Sequence, residues 1–139
     1  MRFWDTSAIV PLLTEEQQTE RTQQWLREDP GMVVWTLTVT EARSALHRKR
    51  RERSLSFEDL DQAEARLSAL ESIWAIVDLV EATKARAARL LAVHDLRAAD
   101  ALQLAAALVL TEEKPTGFPF LTFDRRLAHA AKAEGFDTL

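Results

Sequence analysis

The chain contains no cysteine, which removes disulfide frameworks, thiol nucleophiles and cysteine-bound zinc together. Glycine and proline are scarce, at 3 and 4 in 139 residues, so there is little material for a long linker. Long apolar runs are missing as well. The richest, Ala98 to Leu110, is interrupted by Asp100 and Gln103 and is too short to span a bilayer. The opening MRFWDTSAIVPLL carries an acid at position 5 and no uninterrupted apolar stretch of signal-peptide length. A cytoplasmic protein with no membrane contact is expected.

What is present suits a globular fold. Hydrophobic residues make up 47%, and 139 residues match the size of one hydrophobic core, so residues 1–139 read as a single domain. The net charge is −4, yet His47 to Arg53 reads HRKRRER. There Arg48, Lys49, Arg50, Arg51 and Arg53 stand against Glu52, a local +4 that leaves about −8 on the remainder. Such a run is either a solvated helix end or a patch that attracts a nucleic-acid backbone.

Along the chain, strand-like and helix-like segments alternate. Arg2 to Trp4 is a short strand ending at Asp-Thr-Ser, the residue types that start helices. A helix follows from Thr6, with Pro11 expected to kink or delimit it, then a second from Glu16 to Glu28. Met32 to Thr36 is a compact buried strand after the turn Asp29-Pro30-Gly31. Thr38 to Arg53 and Phe57 to Ser72 form a helical hairpin with the basic run at its bend. Ile73 to Leu79 is a third strand, and Glu81 to His94 and Arg97 to Leu110 are helices. Phe120 to Phe123 is a fourth strand, Asp124 to Glu134 a closing helix, and Phe136 to Leu139 an optional fifth strand. This alternation predicts an α/β fold with a mainly parallel sheet of four to five strands. Trp4 and Trp35, in strands, are core candidates.

Ligands of open parallel sheets bind beyond the carboxyl ends of the strands. Asp5, Glu41 and Asp124 fall at or just after strand ends, and Asp100 falls in the first turn of a later helix, so one sheet edge can collect all four. Asp100 stands out because its helix, RAADALQLAAALVL, is apolar on nearly every face and is expected to bury it; Arg97 is its one local partner. Four gathered carboxylates repel by roughly 3 kcal/mol per pair at about 5 Å and an effective dielectric near 20. Proton uptake or a cation relieves that, and an all-oxygen site suits Mg²⁺ or Mn²⁺ and phosphodiester hydrolysis. Structural explanations compete at each position. Asp5 and Asp124 are also natural N-caps, and Thr38-Val39-Thr40-Glu41 reads as a capping box. His47, His94 and His129 show no ligand spacing and read as surface or satisfied residues.

With FWDTSAIV, TVTEARSAL, RAADALQLAAAL and FLTFDRRLAHAA in that order, the chain resembles a PIN-domain protein, specifically a VapC-type toxin of a bacterial toxin–antitoxin pair. The resemblance covers essentially the whole chain. It implies a three-layer α/β/α PIN-like fold with a protruding helical hairpin at about 38–72. It assigns Asp5, Glu41, Asp100 and Asp124 as catalytic metal ligands for Mg²⁺ or Mn²⁺, with Thr6 and Ser7 beside the first. It further implies endoribonuclease activity on RNA, a cognate antitoxin and a homodimer, with the basic run serving RNA or a partner. The short end after Phe136 departs from the family pattern and leaves the last strand abbreviated or missing.

Three other readings fit less of the chain. A haloacid-dehalogenase-like phosphatase needs a second Asp near Asp5, where Thr6-Ser7-Ala8 stands instead, and a receiver domain needs paired acids there. A non-catalytic binding module of the same fold makes the four acids mere helix caps and predicts indifference to Asp100→Asn.

Overall fold

The computed structural model describes every residue from 1 to 139. Five strands form one all-parallel sheet: β1 (Arg2–Trp4), β2 (Met32–Trp35), β3 (Ala75–Val77), β4 (Pro119–Leu121) and β5 (Asp137–Thr138), in the order β3-β2-β1-β4-β5. Two helices fill each of the first three crossovers: α1 (Thr6–Leu13) and α2 (Thr19–Glu28), α3 (Thr38–Arg51) and α4 (Phe57–Glu71), then α5 (Val80–Val93) and α6 (Ala98–Leu110). The last crossover holds α7 (Arg125–Glu134) alone. The fifth strand exists but is only two residues long; Gly135, in the left-handed region at φ 104°, ends α7 just before it.

Side-chain alternation along the strands builds the three layers. Phe3, Val33, Trp35, Val77 and Phe120 point to one face and pack on Leu90, Leu104, Leu108 and Leu127 of α5, α6 and α7. Trp4, Met32, Val34 and Leu121 point to the other and meet α1 to α4 through Ile9, Leu13, Trp25, Leu46 and Leu67. All four tryptophans are buried, Trp4 and Trp35 most deeply.

The helical hairpin is anchored along its length rather than standing free. Leu60, Ala63, Leu67 and Leu70, the apolar positions of α4, all lie in the core with Ala42 and Leu46 of α3, while the bend and the outer face of α4 are exposed. Two boundaries differ from expectation for local reasons. α1 runs through Pro11 and stops at Leu13, and α2 begins at Thr19, not Glu16. Residues 14 to 18 are held as a turn instead: the Thr14 hydroxyl donates to Glu16 at 2.7 Å, and Thr19 Oγ1 donates to the Thr14 carbonyl at 2.7 Å. No helix is long and apolar enough to cross a membrane.

Candidate active site

The strand order places a topological switch at β1. The chain leaves β1 over one face toward β2 and leaves β4 over the other toward β5, so the crevice between the carboxyl ends of β1 and β4 is where such a sheet opens. Asp5 sits at that point. Its backbone N–H donates to the carbonyl of Leu121, the last residue of β4, at 3.0 Å. Its side chain caps α1, accepting from the Ser7 N–H at 3.1 Å, the Ser7 hydroxyl at 2.6 Å and the Thr122 hydroxyl at 2.9 Å. Those two hydroxyls also accept from the backbone of the next loop: Phe123 N–H donates to Ser7 and Asp124 N–H to Thr122. The junction after β1 is thereby stitched to the junction after β4.

Glu41 arrives from α3. The capping box expected for it does not form: Leu37 is the N-cap of α3, no side chain caps the helix, and Glu41 lies a full turn inside it. Its carboxylate accepts instead from the Thr6 hydroxyl at 2.9 Å and from the Gln103 amide at 3.3 Å. Gln103 is fully buried and also donates to Thr6 at 2.9 Å and to Thr38 at 3.1 Å. Gln103, Thr38 and Thr122 were not singled out from the sequence. The readable signal for Gln103 was a lone amide three residues after Asp100 in an otherwise apolar helix.

Burial ranks the acids differently from the sequence. Asp5 is the deepest, 4% exposed, whereas Asp100 is only half-buried because the first residues of α6 reach solvent and the apolar faces close from Ala101 onward. Arg97 forms no ion pair with Asp100; it lines the same cleft as a separate cation. Asp124 caps α7 through the Leu127 N–H at 2.8 Å. Glu41, Asp100 and Asp124 line one open cleft of about 740 Å³, and so do Thr6 and Ser7, the two residues after Asp5. Arg48, Lys49, Arg97 and Arg126 also line it.

Each acid is tied to the protein by at most one oxygen. Asp5 uses only Oδ2, Glu41 only Oε2 and Asp124 only Oδ1, while Asp100 accepts no protein hydrogen bond. None of the four belongs to an ion pair. Burial pushes the Asp5 carboxyl above the ordinary carboxylate range, against the pull of its Ser7 and Thr122 hydrogen bonds. Burial also raises Glu41, with the charges of Asp5 and Asp100 adding to it, and raises Asp100, with Asp124 and Asp5 adding to it. The four carboxylates thus act on one another, yet no three acidic or histidine side chains converge as a ready-made metal-binding group. A hard divalent cation fits this donor set by its chemistry: oxygen atoms only, one free on each tethered acid and two on Asp100.

The basic run divides. Arg48 and Lys49 line the cleft, Lys49 in an ion pair with Glu16 at 3.3 Å; Arg50 lies over the Phe57 ring at 3.6 Å, and Arg51 and Arg53 are exposed at the hairpin bend, away from the cleft lining. The histidines stay clear of the acids: His47 is 3.4 Å from Glu64, His94 is 2.7 Å from Glu134, and His129 is exposed.

Comparison with known proteins agrees with this architecture. The model of the PIN domain matches residues 2–133. Ribonuclease VapC45 of Mycobacterium tuberculosis is 32% identical over 136 residues, spanning 96% of this chain and 90% of that protein. Among solved structures, FitAcB from Neisseria gonorrhoeae superposes with a TM-score of 0.70 at 20% identity, covering 99% of this chain and 97% of that one. A toxin–antitoxin complex from Klebsiella pneumoniae gives a TM-score of 0.65 at 18% identity, covering 92% and 91%. From its first strand to its closing helix, the chain belongs to the PIN-domain family, on the branch of the VapC ribonuclease toxins.

Proposed function

We propose that the protein is a Mg²⁺- or Mn²⁺-dependent endoribonuclease, the toxin of a toxin–antitoxin pair, and that Asp5, Glu41, Asp100 and Asp124 are its metal-holding and catalytic residues. The observation that carries this reading is the set of free carboxylate oxygens on Glu41, Asp100 and Asp124, which line one cleft, and on Asp5, buried next to its lining residues Thr6 and Ser7, none neutralised by an ion pair. A divalent cation bound there supplies positive charge to the scissile phosphate and acidifies an attacking water. The chain's own residues do the rest. Ser7 and Thr122 fix the Asp5 carboxylate, Thr6 and Gln103 fix that of Glu41, and the half-buried Asp100 lines the cleft with both oxygens free of protein hydrogen bonds. Arg48, Lys49, Arg97 and Arg126 offset the acids and draw in a polyanion.

VapC45 is named a ribonuclease, which supports RNA as substrate, and the Klebsiella toxin–antitoxin complex supports an antitoxin partner. A homodimer is part of the proposal, supported by the exposed Ile73, Ile76, Leu79 and Val80 around edge strand β3, and so is a cytoplasmic setting, where RNA substrates are found. The test is sequencing of RNA ends after incubating cellular RNA with the purified protein. Cleavage that needs Mg²⁺ or Mn²⁺, stops with EDTA and vanishes in Asp5→Asn is expected. Equal cleavage by Asp5→Asn refutes the site.

A further inference from the structure

Beside the acidic cleft lies a second, smaller cavity of about 290 Å³, lined by His94, Asp95, Arg125, Arg126, His129 and Ala130. It sits between the α5–α6 connection and the first turns of α7. Four of its six lining residues are Arg or His, against one acid. Arg126 lines both cavities, so the two share one side chain as a common wall. Its charge also acts on Asp100, lowering the carboxyl that burial and the other acids raise.

The Arg and His side chains at the front of this cavity are largely uncommitted. The side chains of Arg125 and His129 make no ion pair or hydrogen bond within the protein, and Arg126 meets only Asp95, at 3.6 Å, with their side chains 66% and 89% exposed. A pair that exposed contributes little and is easily exchanged for a better anion. The rear wall is fixed by contrast: His94 is held at 2.7 Å by Glu134, which also pairs with Arg89. A rigid wall with free guanidinium and imidazole groups in front suits the tetrahedral, multiply accepting oxygens of a phosphodiester.

We propose that this cavity is a phosphate subsite for the RNA strand, holding a backbone phosphodiester on the α7 side of the acidic centre through Arg125, Arg126 and His129. The inference rests on the RNA-cleaving reading above and adds a direction to it. A strand whose scissile phosphate lies among Asp5, Glu41, Asp100 and Asp124 would leave past Arg126 into this cavity, while Arg48 and Lys49 line the cleft from α3. Flanking cations are needed because the centre itself is acidic and repels phosphate.

The test uses full-length Asp5→Asn protein and a short fluorescein-labelled oligouridylate followed by anisotropy across a salt series, since phosphate contacts do not depend on base sequence. Arg125→Gln/His129→Gln, which removes two side chains absent from the acidic cleft, is expected to weaken binding about tenfold. It should also reduce the slope of log affinity against log salt by about 0.7, the value for one phosphate of a single strand. Both residues are exposed, so an unchanged melting temperature is expected and Arg125→Glu serves as a second, stronger variant. If the double variant binds as the parent does while Arg48→Gln weakens binding, the subsite is wrong and the RNA reading stands. If the parent shows no salt-dependent RNA binding, both fail. If polyglutamate competes as well as the RNA, the cavity is a general anion surface and the phosphate assignment fails.

Discussion

Gln103→Leu separates the fold's use of the polar cluster from the site's use of it. The substitution keeps the approximate size of a fully buried side chain and removes donors to Thr6, Thr38 and Glu41. Thr38, also fully buried, has no other side-chain partner and is left with an unsatisfied hydroxyl. Such an orphan costs about 1 to 3 kcal/mol and each lost neutral bond about 1, offset in part by the apolar gain of leucine, so a net loss of about 2 to 3 kcal/mol follows. With an unfolding entropy of about 2.1 cal/mol/K per residue over 139 residues, Tm should fall by about 7 to 10 °C. Adding Thr38→Val removes the orphan, because replacing both partners by apolar groups of similar shape is nearly neutral, and should recover most of that drop. Glu41 stays misoriented in both proteins, so RNA cleavage should remain about 10- to 100-fold down in each. Calorimetry and initial-rate assays on the two variants give all four values. A Gln103→Leu protein that melts within about 1 °C of wild type, or a double variant that regains cleavage along with stability, refutes the reasoning.

Other outcomes follow from the same geometry. Asp100→Asn should raise Tm in EDTA, by about 1 to 3 °C, because Asp100 accepts no protein hydrogen bond and its charge is opposed by burial, Asp124 and Asp5; an unchanged or lower Tm argues against mutual repulsion. Asp5, Glu41 and Asp100 all have folded-state values raised above their ordinary ones. Their joint contribution to stability is therefore complete below the ordinary carboxylate range and is lost as pH rises through the raised values. Asp29 and Glu134 are lowered and slope the other way, so the measurement is the difference in Tm between wild type and Asp5→Asn/Asp100→Asn in EDTA. The variant's advantage should grow on going from about pH 4 to neutrality and shrink again with saturating Mg²⁺; a flat difference rejects the assignment. Arg48→Gln should weaken RNA binding and lower its salt slope by about 0.7, whereas Arg53→Gln, outside the cleft, should do neither.

Period and punctuation carried most of the fold. Phe3/Trp4 and the MVVW run alternate between two helical layers, and the turn at Asp29-Pro30-Gly31 fixes where β2 begins. Boundaries slipped where side chains compete with backbone, as at residues 14 to 18, where Thr14, Glu16 and Thr19 bond one another and delay α2. The four acids stood out as candidates because each falls at a strand end or a helix start. Their individual weights were not. Glu41 matched a capping pattern that Leu37 displaces, and Asp100 looked buried because a sequence does not show that α6 enters the core one turn after its start. Hydroxyl and amide supports such as Thr122 and Gln103 are invisible to periodicity, since their partners lie 117 and 62 to 97 residues away.

The strand order has a consequence for biosynthesis. β1, made first, stays unpaired on one side until β4 emerges from the ribosome, and Thr122 and Asp124 arrive only with that late segment. The nascent chain therefore lacks both the second hydroxyl that holds Asp5 and the fourth carboxylate for most of its synthesis. A prematurely released fragment carries the motif FWDTS with nothing to assemble against it. Under the proposed assignment of these acids to RNA cleavage, a site completed last would keep unfinished copies harmless to the machinery that is making them.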